Sequence, residues 1–495
     1  MFKEAKEDYQ LLMKINSDNL KIEKVRCKIY LPKRNIDPIK IYFYPTQEQV
    51  VSLIKLFEFS IEGEIKNIAG DIIGKVEATK VYNNGTITEN FGSDIVESIF
   101  MGEPIDLKIS MFSNYESNNS NYNDVNTVIS FWLTPNILLS PAQLIERSYT
   151  GRVEIRTVRR FEFTLANGIP LVFNNHFRYV ENPEGDVITF DELVAECTVD
   201  SEVNNLEDII DSLDDFLVIV SFATRQRCIC LGWSASNSKE YTRFYRRSLS
   251  IPMHTTEPSI NDTLVDITQF QSFIDTTYNA FINIEQRVLI RKALQFSISA
   301  RDKTVESSFT TLYSVLETLV LDYRRQNELE FVLDEDNWNE FEKGIKKWIK
   351  QQPQFVSFPE KRKLIYEKLK ELNRISFSNA FKKFCISLEL DLQDLWTVTG
   401  GKGSLTEIRN KLVHGETFNR SQEKSLIVAL HHLTWIVERA ILSVLSWSIS
   451  DSRVSQNFLN KYITLYHNWE SERQLITNSP GNINFPVNTA PQDEV

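Results

Sequence analysis

The stretch "SIPMHTTEPSINDT" (residues 250–263) divides the sequence into two parts that read with different periods. Its two prolines and small polar residues suit neither a helix interior nor a central strand, so it reads as a connection. Upstream of it, apolar residues alternate with polar ones; downstream, they recur every three or four positions. Alternation turns one face of a strand toward a core, and a step of three and four does the same for a helix. At 495 residues the chain is long enough for two or three domains. The expectation is an α+β protein: a β-rich N-terminal sensor or regulatory domain over 1–265, an all-α bundle over 266–472, and a disordered Pro/Asn-rich tail over 473–495.

In the front half, "RFEFTLANGIPLVF" (160–173) alternates Phe161, Phe163 and Leu165 with polar residues and then meets Asn167-Gly168, a hairpin signal. "KVEATKVYNNGTITEN" (75–90) repeats the arrangement, so a second turn is expected at Asn84-Gly85. "PIKIYFYP", "TVISFWLTP" and "DFLVIVSFATRQRCICLGW" read as further strands, and the Asn-rich "FSNYESNNSNYNDVN" (112–126) as a loop. In the back half, Val305, Phe309, Leu312, Leu316, Leu319 and Tyr323 form one helical stripe. Leu426, Leu430, Leu433, Val437, Ala440, Val444 and Trp447 form another, and helices also fit 268–302, 360–372 and 377–390. Both stripes are core-facing.

The composition, 42% hydrophobic and 25% charged, is that of a globular protein. No apolar run reads as long enough to cross a membrane, and "MFKEAKEDYQLLMKI" does not resemble a secretory signal. The five cysteines (Cys27, Cys197, Cys228, Cys230 and Cys385) are scattered without a C-x-x-C pair, which points to a reducing cytoplasm. Cys228 and Cys230 are expected as a buried pair on one face of a strand. A net charge of −12 argues against a general nucleic-acid coat protein. The charge is nevertheless segregated. Residues 181–215 hold thirteen acids and no Lys or Arg, whereas 341–384 hold twelve Lys or Arg against four Glu. Each run reads first as a solvated surface. The basic run, with Lys346, Lys347, Lys361, Arg362 and Lys363, also offers a path for RNA phosphates, and the acidic one, with Asp208, Asp211, Asp214 and Asp215, a restraint over it.

One helix carries residues without a scaffold duty. In "SLTEIRNKLVHGETF" (404–418), Ser404 and Glu407 read as a capping box and Gly415 as a left-handed helix stop. Leu405, Ile408 and Leu412 cluster within about 60° and form the buried face. Arg409, Asn410 and His414 remain. On the same wheel His414 lies about 140° from Arg409, so a shared site requires a frayed end or a second copy of the helix. No H-E-x-x-H, G-x-S-x-G, Walker or G-x-G-x-x-G pattern occurs, so neither metal nor nucleotide-cofactor chemistry is signalled. A histidine suits a general acid or base, and a guanidinium can fork onto phosphate oxygens and stabilise growing charge. Together they suit phosphodiester chemistry on RNA, whose 2′-OH is an internal nucleophile. The spacing leaves one alternative open: Arg409 as a surface ion-pair former and His414 as a C-terminal cap.

"RNKLVH" (409–414) resembles the R-x4-6-H motif of the HEPN superfamily, in which a polar residue follows the arginine. Its place, a short helix ahead of one long apolar helix, is similar as well, and the likeness covers roughly 266–472. A β-rich front joined to such a bundle resembles the ApeA-like antiphage proteins of bacteria. The resemblance implies a cofactor-free, metal-independent endoribonuclease with Arg409 and His414 as the catalytic pair and Asn410 as the polar member. It further implies an RNA substrate, tRNA or mRNA, cut by 2′-OH attack at a site shared in a homodimer or higher homo-oligomer. A phage-derived trigger and no membrane complete the expectation, with toxic RNA cleavage of the abortive-infection type as the outcome. The alternatives are a non-catalytic HEPN module that binds RNA or nucleotide, and a dimerising scaffold.

Overall fold

The computed structural model describes residues 8–18, 20–32, 37–91, 95–112, 126–147, 153–181, 187–200, 206–246, 262–356 and 358–478. The chain forms two compact units, 1–274 and 275–495. The first is built from strands and the second from helices, an α+β arrangement. The connection at 250–263 and the Asn-rich stretch at 112–126 fall almost wholly outside the described residues.

Six strands of the first unit close on themselves: β1 (Asp8–Ser17), β2 (Leu20–Tyr30), β3 (Lys40–Tyr44), β4 (Glu58–Lys66), β5 (Ile72–Phe91) and β6 (Ile95–Pro104). The order β5-β4-β1-β2-β3-β6 is completed by β6 pairing back onto β5. A short helix, α1 (Gln47–Leu53), lies between β3 and β4. Alternate side chains fill the interior, among them Met13, Ile15, Val25, Cys27, Ile41, Phe43, Ile61 and Val76. The expected turn at Asn84-Gly85 is absent. β5 runs straight through it, with Gly85 at φ 137° and a register shift between Asn83 and Gly85. The pair is a bulge, placed where β5 passes from β4 to β6.

The sheet continues from the first half of β5 onto β7 (Asp106–Phe112). Next in the chain come β8 (Asn126–Leu133), β9 (Ala142–Arg147), β10 (Val153–Arg159), β11 (Glu162–Thr164), β12 (Pro170–Glu181) and β13 (Val187–Asp200). Then follow α2 (Leu206–Thr224), β14 (Cys230–Ser236) and β15 (Glu240–Arg246). The spatial order onward from β7 is β15-β14-β8-β13-β12-β11, and β9 pairs with β10 apart from it. The hairpin at Asn167-Gly168 forms as read, with Gly168 at φ 81°. The run "DFLVIVSFATRQRCICLGW", expected as one strand, is not one: its first part completes α2 and only Cys230 onward is strand. A continuous apolar run carries no period of its own, and here Phe216 packs against Phe163 and Phe173 from a helix. Cys228 therefore precedes the strand and Cys230 opens it, although both are buried.

The second unit begins within α3 (Phe270–Asn283). Its helices are α4 (Arg287–Ser299), α5 (Val305–Gln326), α6 (Glu335–Gln351), α7 (Pro353–Val356), α8 (Pro359–Leu372), α9 (Phe377–Ser387), α10 (Leu405–Val413), α11 (Glu423–Val444), α12 (Gln456–Tyr462) and α13 (Trp469–Asn478). The single helix expected over 268–302 is broken between α3 and α4. Helix continues to Asn478, so 473–478 belong to the bundle, and 479–495 lie outside the described residues. α11 is long and apolar enough to cross a membrane by length and composition, contrary to the sequence reading, but 67% of its apolar window is buried. It is the central helix, packed on α4, α5 and α13.

Candidate functional site

Helix α10 is held by local chemistry at both ends. Ser404 Oγ accepts the Glu407 N–H at 3.3 Å, as a cap should. The reciprocal half of the expected capping box is displaced by one residue. Glu407 takes the Gly403 N–H at 2.6 Å and pairs with Lys411 at 3.1 Å. At the other end Gly415 adopts φ 77°, its N–H donates to Leu412 and the Glu416 N–H donates to Lys411. These two bonds form a Schellman stop, which places His414 as the last residue before the reversal. Leu405 and Ile408 are fully buried, whereas Leu412 is only half-buried and Val413 is 57% exposed. The apolar face is thus shorter than the wheel implied.

Arg409 is anchored by α5. Its Nη2 donates to Glu317 Oε2 at 3.2 Å and its Nη1 to Asn410 Oδ1 at 3.2 Å. Its guanidinium also lies over the Tyr313 ring, 5.7 Å from the centroid. Tyr313 is fixed in turn by Thr406 of α10, with 2.6 Å between the two hydroxyl oxygens, and burial pushes its phenol up to about 12. Two guanidinium N–H groups are engaged in this way among the described residues. Sequence reasoning missed Glu317 and Tyr313. The available signal was their i, i+4 spacing beside the apolar stripe of α5, a pair that shares one helix face.

His414 is exposed, and its imidazole makes no hydrogen bond or ion pair with Arg409 or Asn410. Only its backbone N–H contacts the motif, donating to the Asn410 carbonyl at 3.0 Å. Within one chain Arg409 and Asn410 are hydrogen-bonded to each other, and the His414 side chain is bonded to neither among the described residues. Comparison with protein-family models, curated proteins and solved structures returned no match.

The basic residues lie on a separate hairpin of helices. Lys346 is half-buried, pairing with Glu342 at 3.0 Å and lying over the Tyr366 ring of α8. Lys347 and Lys363 are exposed, Arg362 is half-buried, and Lys361 stands over the Phe358 ring at 4.5 Å. None of the five makes a hydrogen bond or ion pair with Arg409, Asn410 or His414 among the described residues. In the acidic run, Asp208 and Asp211 are exposed. Asp214 instead forms a two-pronged pair with Arg246, at 2.9 and 2.7 Å, and Asp215 is buried, so these two are part of the scaffold of the first unit. Among the described residues no cluster of three or more His, Cys, Asp or Glu side chains is placed to hold a metal ion.

Proposed function

We propose that the helical unit is a metal-independent endoribonuclease of bacterial antiviral defence, with Arg409 and His414 acting on the scissile phosphate from two copies of α10. The observation that carries this reading is the opposite treatment of the two residues: Arg409 is braced by Glu317, Asn410 and Tyr313, while His414 is exposed at a rigid helix stop. Holding a charge stabiliser in place lowers the reorganisation needed as charge grows on the phosphorane. Leaving the acid-base group unpartnered by its own motif suits a histidine whose working partner comes from another subunit. In the proposed reaction the 2′-OH attacks the adjacent phosphorus and the P–O5′ bond breaks. His414 moves the proton, leaving a 2′,3′-cyclic phosphate and a 5′-OH. The β-rich unit acts as sensor or restraint.

A second reading, a non-catalytic module that at most binds RNA or nucleotide, is favoured by the Arg409–Glu317 ion pair, which gives the arginine a role without catalysis. The two separate in one assay. Total RNA incubated in EDTA with the wild-type chain yields cyclic-phosphate ends under the nuclease reading, and His414→Ala abolishes them. Binding without cleavage by both chains would establish the second reading.

A further inference from the structure

Helix α6 packs chiefly on α7 and α8, and one side of it is accounted for by that packing. Ile349 is buried, Lys346 lies over the Tyr366 ring, and the Tyr366 hydroxyl donates to the Lys346 carbonyl at 3.1 Å. Another stripe is not. Asn337, Phe341, Gly344, Trp348 and Gln351 step by four and three, fall within about 80° of the wheel, and are all exposed. That spacing is the seam of a two-helix coiled coil, here laid open to solvent. Phe341 leans on Trp338 of its own helix, with 5.8 Å between ring centroids, yet stays 52% exposed, and Trp348 is 60% exposed. Gly344 has open space where a Cβ would stand, so no neighbour among the described residues requires a glycine in mid-helix.

The charges of α6 are sorted along its axis. From Glu335 to Glu342 there are four acids and no base, and from Lys343 to Gln351 four lysines and no acid. Glu340 and Lys347 border the stripe on one edge, within about 20° of each other on the wheel. Both are exposed and make no ion pair among the described residues, and they stand too far apart along the helix to pair with each other. We propose that α6 pairs antiparallel with α6 of a second copy of this chain, about a two-fold axis near Gly344. Phe341 and Trp348 stand three residues before and four after Gly344, and Glu340 and Lys347 four before and three after. The two-fold therefore brings Phe341 of each copy toward the partner's Trp348 and Glu340 toward the partner's Lys347, with the two glycines where the backbones come closest. Sorted charge selects both occupant and direction. A parallel pair would set acid on acid and lysine on lysine, whereas the antiparallel pair sets each acidic half on a basic half. RNA finds no such match, because Lys343 and Lys350 lie about 120–140° from the centre of the stripe and Glu340 borders it. The contact involves α6 and not α10, so it goes beyond the nuclease reading and does not depend on it.

The test uses the full chain with one added cysteine and a short bismaleimide cross-linker, read as a dimer band on a denaturing gel. The wild type, with its half-buried Cys385, is the blank. Gly344→Cys lies at the axis and should join most chains into dimers at micromolar concentration. Lys343→Cys, one position along but about 100° round and away from the stripe, should give no more dimer than the blank. Adding Glu340→Lys or Lys347→Glu to the Gly344→Cys chain should weaken pairing by about tenfold, because both ion pairs of the interface become like-charge contacts. Mixing those two charge variants should restore the dimer, since every lysine then meets a glutamate again. These positions are exposed and Gly344 has room for a side chain, so the variants fold. Equal cross-linking of Gly344→Cys and Lys343→Cys, or charge variants that cross-link like their parent, would overturn the pairing. So would Trp348-dependent binding of a single-stranded oligoribonucleotide or of anionic vesicles by a chain that does not cross-link. Cross-linking without RNA cleavage in EDTA refutes the nuclease alone; cleavage without cross-linking refutes the α6 pairing alone.

Discussion

Arg409 and His414 sit five positions apart on one short helix and are held in opposite ways, and that contrast sets the expectations at the scale of single residues. Each of Arg409→Ala and His414→Ala should lower RNA cleavage by at least about a hundredfold, as for a lost charge stabiliser or acid-base group. His414→Ala should change the unfolding midpoint little, within about 0.5 kcal/mol, because the side chain is exposed. Glu317 acts only through Arg409 in this arrangement. Glu317→Ala should therefore reduce kcat by about tenfold, while adding it to Arg409→Ala should cost nothing further. A double variant much slower than Arg409→Ala would give Glu317 a role of its own.

At the scale of elements, two glycines in the helical unit should respond to alanine with opposite signs. Gly403, ahead of α10, has φ 70°, and a Cβ there would lie 2.5 Å from Thr477 Oγ1 and 3.1 Å from the Arg473 carbonyl. Gly403→Ala should destabilise the unit by about 1–3 kcal/mol. Gly344→Ala meets open space in a helix interior and should stabilise by about 0.5–1 kcal/mol. Chemical denaturation of the two variants reads both signs at once. The central helix α11 supplies a pH-dependent contribution. His432 is fully buried, its Nδ1 accepts the Trp396 N–H at 3.1 Å, and its ring is enclosed by Trp396, Trp435, Tyr466 and Trp469. Burial lowers its pKa from 6.5 to about 4. The unfolded chain then takes up a proton below about pH 6.5 that the folded chain refuses until about pH 4, so stability falls as pH drops through that window, by about 3 kcal/mol from this group. Denaturant midpoints between pH 7 and 4 should show the loss in the wild type and a flatter limb in His432→Gln.

For the whole molecule, the absence of a bond between the Arg409 and His414 side chains of one chain among the described residues leads to a test by mixing. Chains carrying Arg409→Ala and chains carrying His414→Ala, each inactive, should regain part of the activity when assembled together, because one of the two composite sites keeps both residues. A verified mixed assembly that stays silent would place the site within a single chain. The charge segregation calls for more care than the composition suggested. Of the four acids proposed as a restraint, Asp214 and Asp215 hold the first unit together, so only Asp208 and Asp211 can be neutralised without touching the fold.

Periodicity and end residues carried much of the design. The shift from alternation to a three-and-four step around 250–263 announced strands before helices, because each period states which side chains share a face. Ser404 and Gly415 announced the ends of α10, because a cap and a left-handed stop are satisfied within a few residues of chain. Other features depended on partners far away in the sequence. Asn84-Gly85 has the chemistry of a turn, yet β4 and β6 both pair along β5 and make it a bulge. The apolar run after Asp214 suits strand or helix alone, and packing of Phe216 on Phe163 and Phe173 accompanies the helix. Lys346 and Lys347 are neighbours in sequence, but a helix turns about 100° per residue, so Lys346 lies half-buried over Tyr366 of α8 while Lys347 stays in solvent. Glu317 reaches Arg409 across 92 positions, a distance that no local pattern spans and only the packing of α5 against α10 closes.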